Sequence, residues 1–210
     1  MCIRDRTINV SSETDIWYHV VLLKNSSGLS VFLDGTEIKS AYAAPTMHST
    51  GYLIIGSQPT TGGGWANYDL NGFIKDFRVS STARYSGNSL QVPTEAFSDD
   101  TNTSLLCCHA PYFVDGSSNE HTITTSGNPA IEPISPYDNG EYSESKHGGS
   151  VFFDGNDYLL IDDHADFDMT GDFTIKFWAY HTEIPTALGN ERYTLSLIHI
   201  SEPTRPNEIA

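Results

Sequence analysis

A chain of 210 residues with 38% apolar residues and a mean hydropathy of −0.32 suits one sandwich-sized globule or two partial ones. Eleven Lys and Arg against 27 Asp and Glu give a net charge of −16 and a pI near 4.6, which excludes the basic face that nucleic acid needs and argues against anionic membrane surfaces. The acidity permits calcium, a hard cation that takes carboxylate oxygen, but it equally serves as a solvated surface. No apolar stretch approaches the ~20 residues that span a bilayer, so no membrane insertion is expected.

The two ends read as foreign to the fold. Residues 1–5 (MCIRD) and 195–200 (LSLIHI) back-translate to complementary DNA strands that resemble a transposase adapter of sequencing libraries. Residues 1–6 and 195–210 are therefore set aside as adapter-like, leaving residues 7–194 as the native segment. Of the three cysteines, Cys2 lies in that adapter-like end. Cys107 and Cys108 are expected to point to opposite faces of a strand as small packing residues, with no disulfide framework.

In chain order, residues 7–12 read as a short strand. Residues 16–24 and 29–34 form a hairpin around Asn25-Ser26-Ser27-Gly28, and residues 36–39 continue it beyond Asp34-Gly35. Asp-Gly between strands predicts a type I′ turn, which needs φ > 0 at both central residues. Both alternating faces of residues 17–23 are largely apolar, which predicts a central strand covered on both sides. Residues 52–56 form another strand. Gly62-Gly63-Gly64 opens a loop carrying Trp65 and Tyr68. Residues 72–80 (GFIKDFRVS) alternate, placing Phe73, Phe77 and Val79 on one face and Ile74, Asp76 and Arg78 on the other. Residues 86–103, rich in Ser, Asn, Pro and Asp, read as a linker.

A strand starts at Ser104, followed by a loop-heavy stretch over residues 112–144. Residues 151–161 (VFFDGNDYLLI) predict a second hairpin turning at residues 154–156. Residues 172–180 (DFTIKFWAY) put Phe173, Ile175 and Phe177 opposite Lys176 and Trp178. No helical period is sustained over ten residues. Many short strands with regular turns predict an all-β, antiparallel β-sandwich.

These motifs resemble the laminin-G-like, concanavalin A-like lectin/glucanase jelly roll. "W-Y-H-V-V … V-F-L-D-G" and GFIKDFRVSSTARY are similar to the closing half of such a domain, matching its last strand at Gly72, Ile74, Asp76 and Arg78. Leu105, Leu106, the run from Val151 through Asp154-Gly155, Asp157, Tyr158 and Leu159, and residues 172–178 resemble the opening half of a following repeat. The sequence departs from that pattern at Cys107-Cys108 and by an insertion over residues 109–114. The resemblance implies an incomplete jelly roll: residues 7–85 end one domain, 86–103 link, and 104–194 begin the next. The head half of the second could then pack on the tail half of the first within one sandwich.

The glucanases of this superfamily use an E-x-D-x-x-E strand whose carboxyls flank the scissile bond. That spacing does not occur here, and Glu37, Glu95, Glu120, Glu132, Glu141, Glu144 and Glu183 read as turn or loop residues, so no enzyme is expected. Glycan binding needs exposed aromatics with polar neighbours, which makes Trp65, Asn67, Tyr68 and Asp69 the candidate ligand-binding residues. Trp17 and Trp178 read as packing residues. Calcium is the one cofactor that the resemblance allows, held near the domain's ends. That would make Asp76 and Asp115 candidate ligands, although they fall in different repeats. The acidic run Asp162, Asp163, His164, Asp166 and Asp168 reads as a solvated loop. As an EF-hand it fails, because Phe177 stands where the bidentate Glu belongs. The expected function is a non-enzymatic carbohydrate-binding or adhesion module of a tandem-repeat surface or phage tail-type structural protein, extracellular or on a virion. Its partners would be a glycan or cell-surface polysaccharide and neighbouring repeats of the same polypeptide. An accessory carbohydrate-binding domain of a secreted glycoside hydrolase, and a structural spacer, are the alternatives.

Overall fold

A computed structural model describes residues 13–42, 52–57, 70–137, 148–183 and 198–200. These are nearly all β, with antiparallel pairing throughout and no α-helix among the described residues. The expected strand at residues 7–12 lies outside them. The first three strands are a meander: β1 (Trp17–Asn25), β2 (Gly28–Leu33) and β3 (Thr36–Tyr42). Both turns form as their residues dictate. The Asn25 side chain accepts the Ser27 N–H at 2.8 Å, and Asp34 and Gly35 take φ of 46° and 79°, both positive as a type I′ turn requires.

The remaining strands are β4 (Leu53–Ile55), β5 (Asn71–Ser80), β6 (Thr103–Cys107), β7 (Ile123–Ser126), β8 (Ala130–Glu132), β9 (Ser150–Asp154), β10 (Tyr158–Ile161), β11 (Phe173–His181) and β12 (Ile198–Ile200). The larger sheet runs β3-β2-β1-β11-β5-β9-β8, with β6 sharing the β9 edge of β5; the smaller runs β12-β4-β10-β7. One core lies between them. Val20, Leu22, Ile74, Phe77, Val79, Phe173, Ile175 and Phe177 from the larger sheet meet Leu53, Ile55, Leu159 and Ile161 from the smaller. This is a β-sandwich, two sheets burying their inner faces against each other.

The outer face of the larger sheet is covered as well. Val21, Leu23 and Phe32 pack with Leu90, and Trp178 and Leu106 pack with Phe97 and Tyr137. Residues 86–103, read as a linker, lie along this face. Leu90 donates its N–H to Gly35 O at 2.7 Å, Ser89 bridges Thr36, and Arg84 grips Asp100 through two bonds of 2.6 and 2.7 Å. The two-sided apolar pattern of β1 is thereby accounted for, one face in the core and one under this cover.

Four local expectations are corrected. β5 does not alternate strictly: Lys176 pairs with Arg78 and Trp178 with Lys75, so Asp76 and Phe77 together face Phe177. This β-bulge, with Asp76 at φ 52°, sends Ile74 rather than Phe73 into the core beside Phe77 and Val79. Residues 151–161 are not a hairpin, since β9 pairs with β5 and β8 while β10 pairs with β4 and β7. The buried Asp157 carboxylate accepts the N–H groups of Asn128 (2.6 Å) and Asp154 (3.1 Å), so the chain turns a corner between sheets instead of closing a ladder. Cys107 and Cys108 do not part to opposite faces. Cys108 has φ 55°, which ends the strand and leaves both thiols in the same core. Finally, β7 and β8 form within the stretch read as loop, and Glu37 and Glu132 lie on strands. The tripeptide Ile198–Ile200, set aside as adapter-like, pairs antiparallel with Leu53–Ile55 along an otherwise open edge of β4.

Candidate functional site

The segment that carries the expected glycan contacts stands between β4 and β5 in the sequence. Its neck is closed by the Leu70 N–H donating to Gly56 O at 2.8 Å, with Leu70 and Ser57 buried. Trp65, Asn67, Tyr68 and Asp69 themselves lie outside the described residues.

Asp76 is placed by the bulge. On a regular strand Lys75 and Asp76 would face opposite ways; here both are fully buried on the outer face, with Lys75 Nζ 3.5 Å from Asp76 Oδ1. Asp76 Oδ2 accepts the Tyr137 hydroxyl and the Phe97 N–H (3.1 Å), and Lys75 Nζ donates to Gly148 O at 2.8 Å. Tyr137 in turn accepts the Trp178 indole N–H at 3.1 Å. Burial, then the Asp76 charge, pushes the Tyr137 phenol far up, so it stays a hydrogen-bond donor. The carboxylate thus fastens the cover to the sheet and faces protein donors.

Lys176 belongs to the same layer. Its ammonium lies 3.8 Å from the Phe97 ring centroid and 3.1 Å from the Tyr85 hydroxyl. Burial, followed by the charges of Arg78 and Arg84, brings its pKa down to about 7. Such a depressed lysine often marks a reactive amine. Here the aromatic roof buries it, and the shift is the cost of enclosing a cation behind a sheet.

Asp115 organises a turn instead. Oδ1 accepts the N–H groups of Leu106 (3.0 Å) and Ser117 (2.8 Å); Oδ2 accepts the Ser117 hydroxyl (2.8 Å) and the His121 N–H (2.9 Å). Asp76 and Asp115 therefore sit in separate networks, each engaged by its own donors. Of the described residues, His121, His164 and Asp166 come together in a way that could hold a metal ion. No sequence motif marks His121, because it stands alone, far along the chain from the acidic run. The signal that could have found it is register: Ile123 pairs with Ile161, so the residues just before β7 meet those just after β10.

Residues 3–87 match the family model of the concanavalin A-like lectin/glucanases superfamily. No curated protein and no solved structure matches the chain. Laminin-G-like domains of this kind often bind carbohydrate or mediate adhesion, are generally non-catalytic and are commonly extracellular. No helix among the described residues is long and apolar enough to cross a membrane. The match agrees with the antiparallel sandwich and with the motif residues of β1, β2 and β5: over residues 3–87 the chain is similar to the concanavalin A-like lectin/glucanases superfamily.

Proposed function

We propose that the chain is a non-enzymatic carbohydrate-binding or adhesion module of a tandem-repeat surface or phage tail-type structural protein, extracellular or on a virion. The observation that carries this reading is the superfamily match over residues 3–87, which spans the whole loop between β4 and β5. Within that loop Trp65 and Tyr68 supply faces for stacking on sugar rings, and Asn67 and Asp69 supply hydrogen-bonding groups. A buried, hydrogen-bonded neck gives the loop a fixed base. Residues 104–194, which resemble the opening of a second repeat, support an array in which neighbouring repeats of one polypeptide add weak glycan contacts through multivalency.

Tryptophan fluorescence against a panel of polysaccharides tests the reading. The expected result is a saturable shift with at least one glycan that disappears in Trp65→Ala. Trp178, buried and hydrogen-bonded to Tyr137, gives a constant background. A flat response to the whole panel would favour a structural spacer. A shift retained in Trp65→Ala would move the contact away from this loop.

A further inference from the structure

A second cluster stands on different residues from the glycan reading. At the end of the smaller sheet, the turn leading into β7 meets the turn leaving β10. His121 Nε2 lies 3.1 Å from Asp166 Oδ2, and His164 Nδ1 lies 3.0 Å from the same oxygen. All three donor atoms fall within 4.8 Å of one another. Tetrahedral metal ligands held at bonds of about 2.0–2.1 Å stand roughly 3.3–3.4 Å apart, so two of the three edges lie within about 0.4 Å of the required length.

The pocket is built from the core outward. The His121 side chain is 9% exposed, and its buried Nε2 has no hydrogen-bond partner although Asp166 Oδ2 lies 3.1 Å away. A buried, unpaired ring nitrogen costs stability unless something completes it. The residue is held twice: its backbone N–H is bound by Asp115, and its ring packs tilted on that of Phe167, which is fully buried, with centroids 4.8 Å apart. Phe167 and Asp166 share the 3₁₀ turn Ala165–Phe167, whose N-cap is His164: its Nδ1 accepts the Asp166 N–H at 3.3 Å, a contact that an ion bound to this nitrogen would replace. The outer side stays open, with His164 54% and Asp166 31% exposed, which leaves room for water to complete a coordination sphere. The exposed Asp162 and Asp163 nearby add negative potential that draws cations.

We propose that His121, His164 and Asp166 form a binding site for a divalent transition-metal ion of the zinc class. Two imidazoles and one carboxylate suit such borderline cations and not calcium, which takes six to eight oxygens. The ion would pin the turn after β10 to the turn before β7 and close one end of the sandwich.

Calorimetric titration of the full, tag-free chain after chelator treatment, with Zn²⁺ as the probe, tests this. The expected result is one Zn²⁺ per chain, a melting temperature that rises with Zn²⁺, and no competition from Ca²⁺. His164→Ala and Asp166→Asn change side chains at the open side of the pocket and are expected to fold normally by circular dichroism. Each should weaken Zn²⁺ binding by at least about tenfold, as losing a ligand does at least as much as losing a supporting group. Absence of binding in the unaltered chain, or equal affinity in both variants, would overturn the proposal. His121→Ala is not the primary test, because its ring also packs on Phe167.

Discussion

His19 shows how far one side chain can be moved from its ordinary behaviour. Its ring lies buried beside Trp178 and Phe97, at centroid distances of 5.1 and 6.2 Å, and neither nitrogen has a hydrogen-bond partner. Burial, reinforced by the nearby Lys176 charge, holds its pKa down at about 3 from 6.5. The unfolded chain therefore binds this proton more readily than the folded one. The His19 contribution is fully kept above pH 6.5 and lost progressively as pH falls from 6.5 towards 3. One pH unit of displacement is worth about 1.4 kcal/mol, so His19 accounts for at most about 5 kcal/mol. Burial lowers His109 and His181 in the same direction, so they add to the acid slope. Urea denaturation between pH 4 and 7 should show this slope, and His19→Gln should make it shallower. Identical slopes in the two proteins would contradict the buried, neutral imidazole.

At the scale of elements, β5 is the strand on which the others depend. It bonds β11 along one edge and both β9 and β6 along the other, and its bulge turns Lys75 and Asp76 to the same side. Its pairing with β11 needs glycine at one position: a Cβ added at Gly72, where φ is 153°, would overlap the Tyr180 carbonyl oxygen of the partner strand. Backbone cannot yield as a flexible side chain can, so Gly72→Ala should destabilise by about 1–3 kcal/mol. Gly171, with no atom within 4 Å of its added Cβ, is the matched control; Gly171→Ala should stay within about 0.5 kcal/mol. Thermal melts of the two variants compare them directly, and equal losses would remove the close approach as the cause.

At the scale of the molecule, the decisive contact is β11 between β1 and β5. Trp17 pairs with Tyr180 on one edge and Ile74 with Ala179 on the other, so a strand from the second half of the chain completes a sheet begun by the first. The Phe77 and Phe177 rings, 5.6 Å apart, tie the same halves together, and the Arg84–Asp100 pair spans Gly87. A protease site inserted at Gly87, which has open space around it, should therefore cut the chain without separating it. The fragments are expected to co-elute on size exclusion under native conditions and to part only in denaturant. Separation in native buffer would show that the halves are independent.

The strands of the meander, the Asp34-Gly35 turn, the sidedness of β11 and the two-faced burial of β1 were legible in the residues. Period-two alternation and turn chemistry act over a few neighbouring residues and need no partner to be read. The resemblance over residues 3–87 was legible for the same reason, its motifs being local strings on β1, β2 and β5. What the tertiary structure decided was everything that depends on a distant neighbour. The bulge at Asp76 exists because β5 must meet β11, β9 and β6 at once. The corner at Asp157 exists because its carboxylate finds the Asn128 backbone. Cys108 joins Cys107 in one core because the strand ends there. His121 stands alone in the sequence, and His164 and Asp166 belong to an acidic run that reads as a solvated loop. The antiparallel pairing of β7 with β10 brings them within reach of one ion, and the burial of Phe167 holds them there.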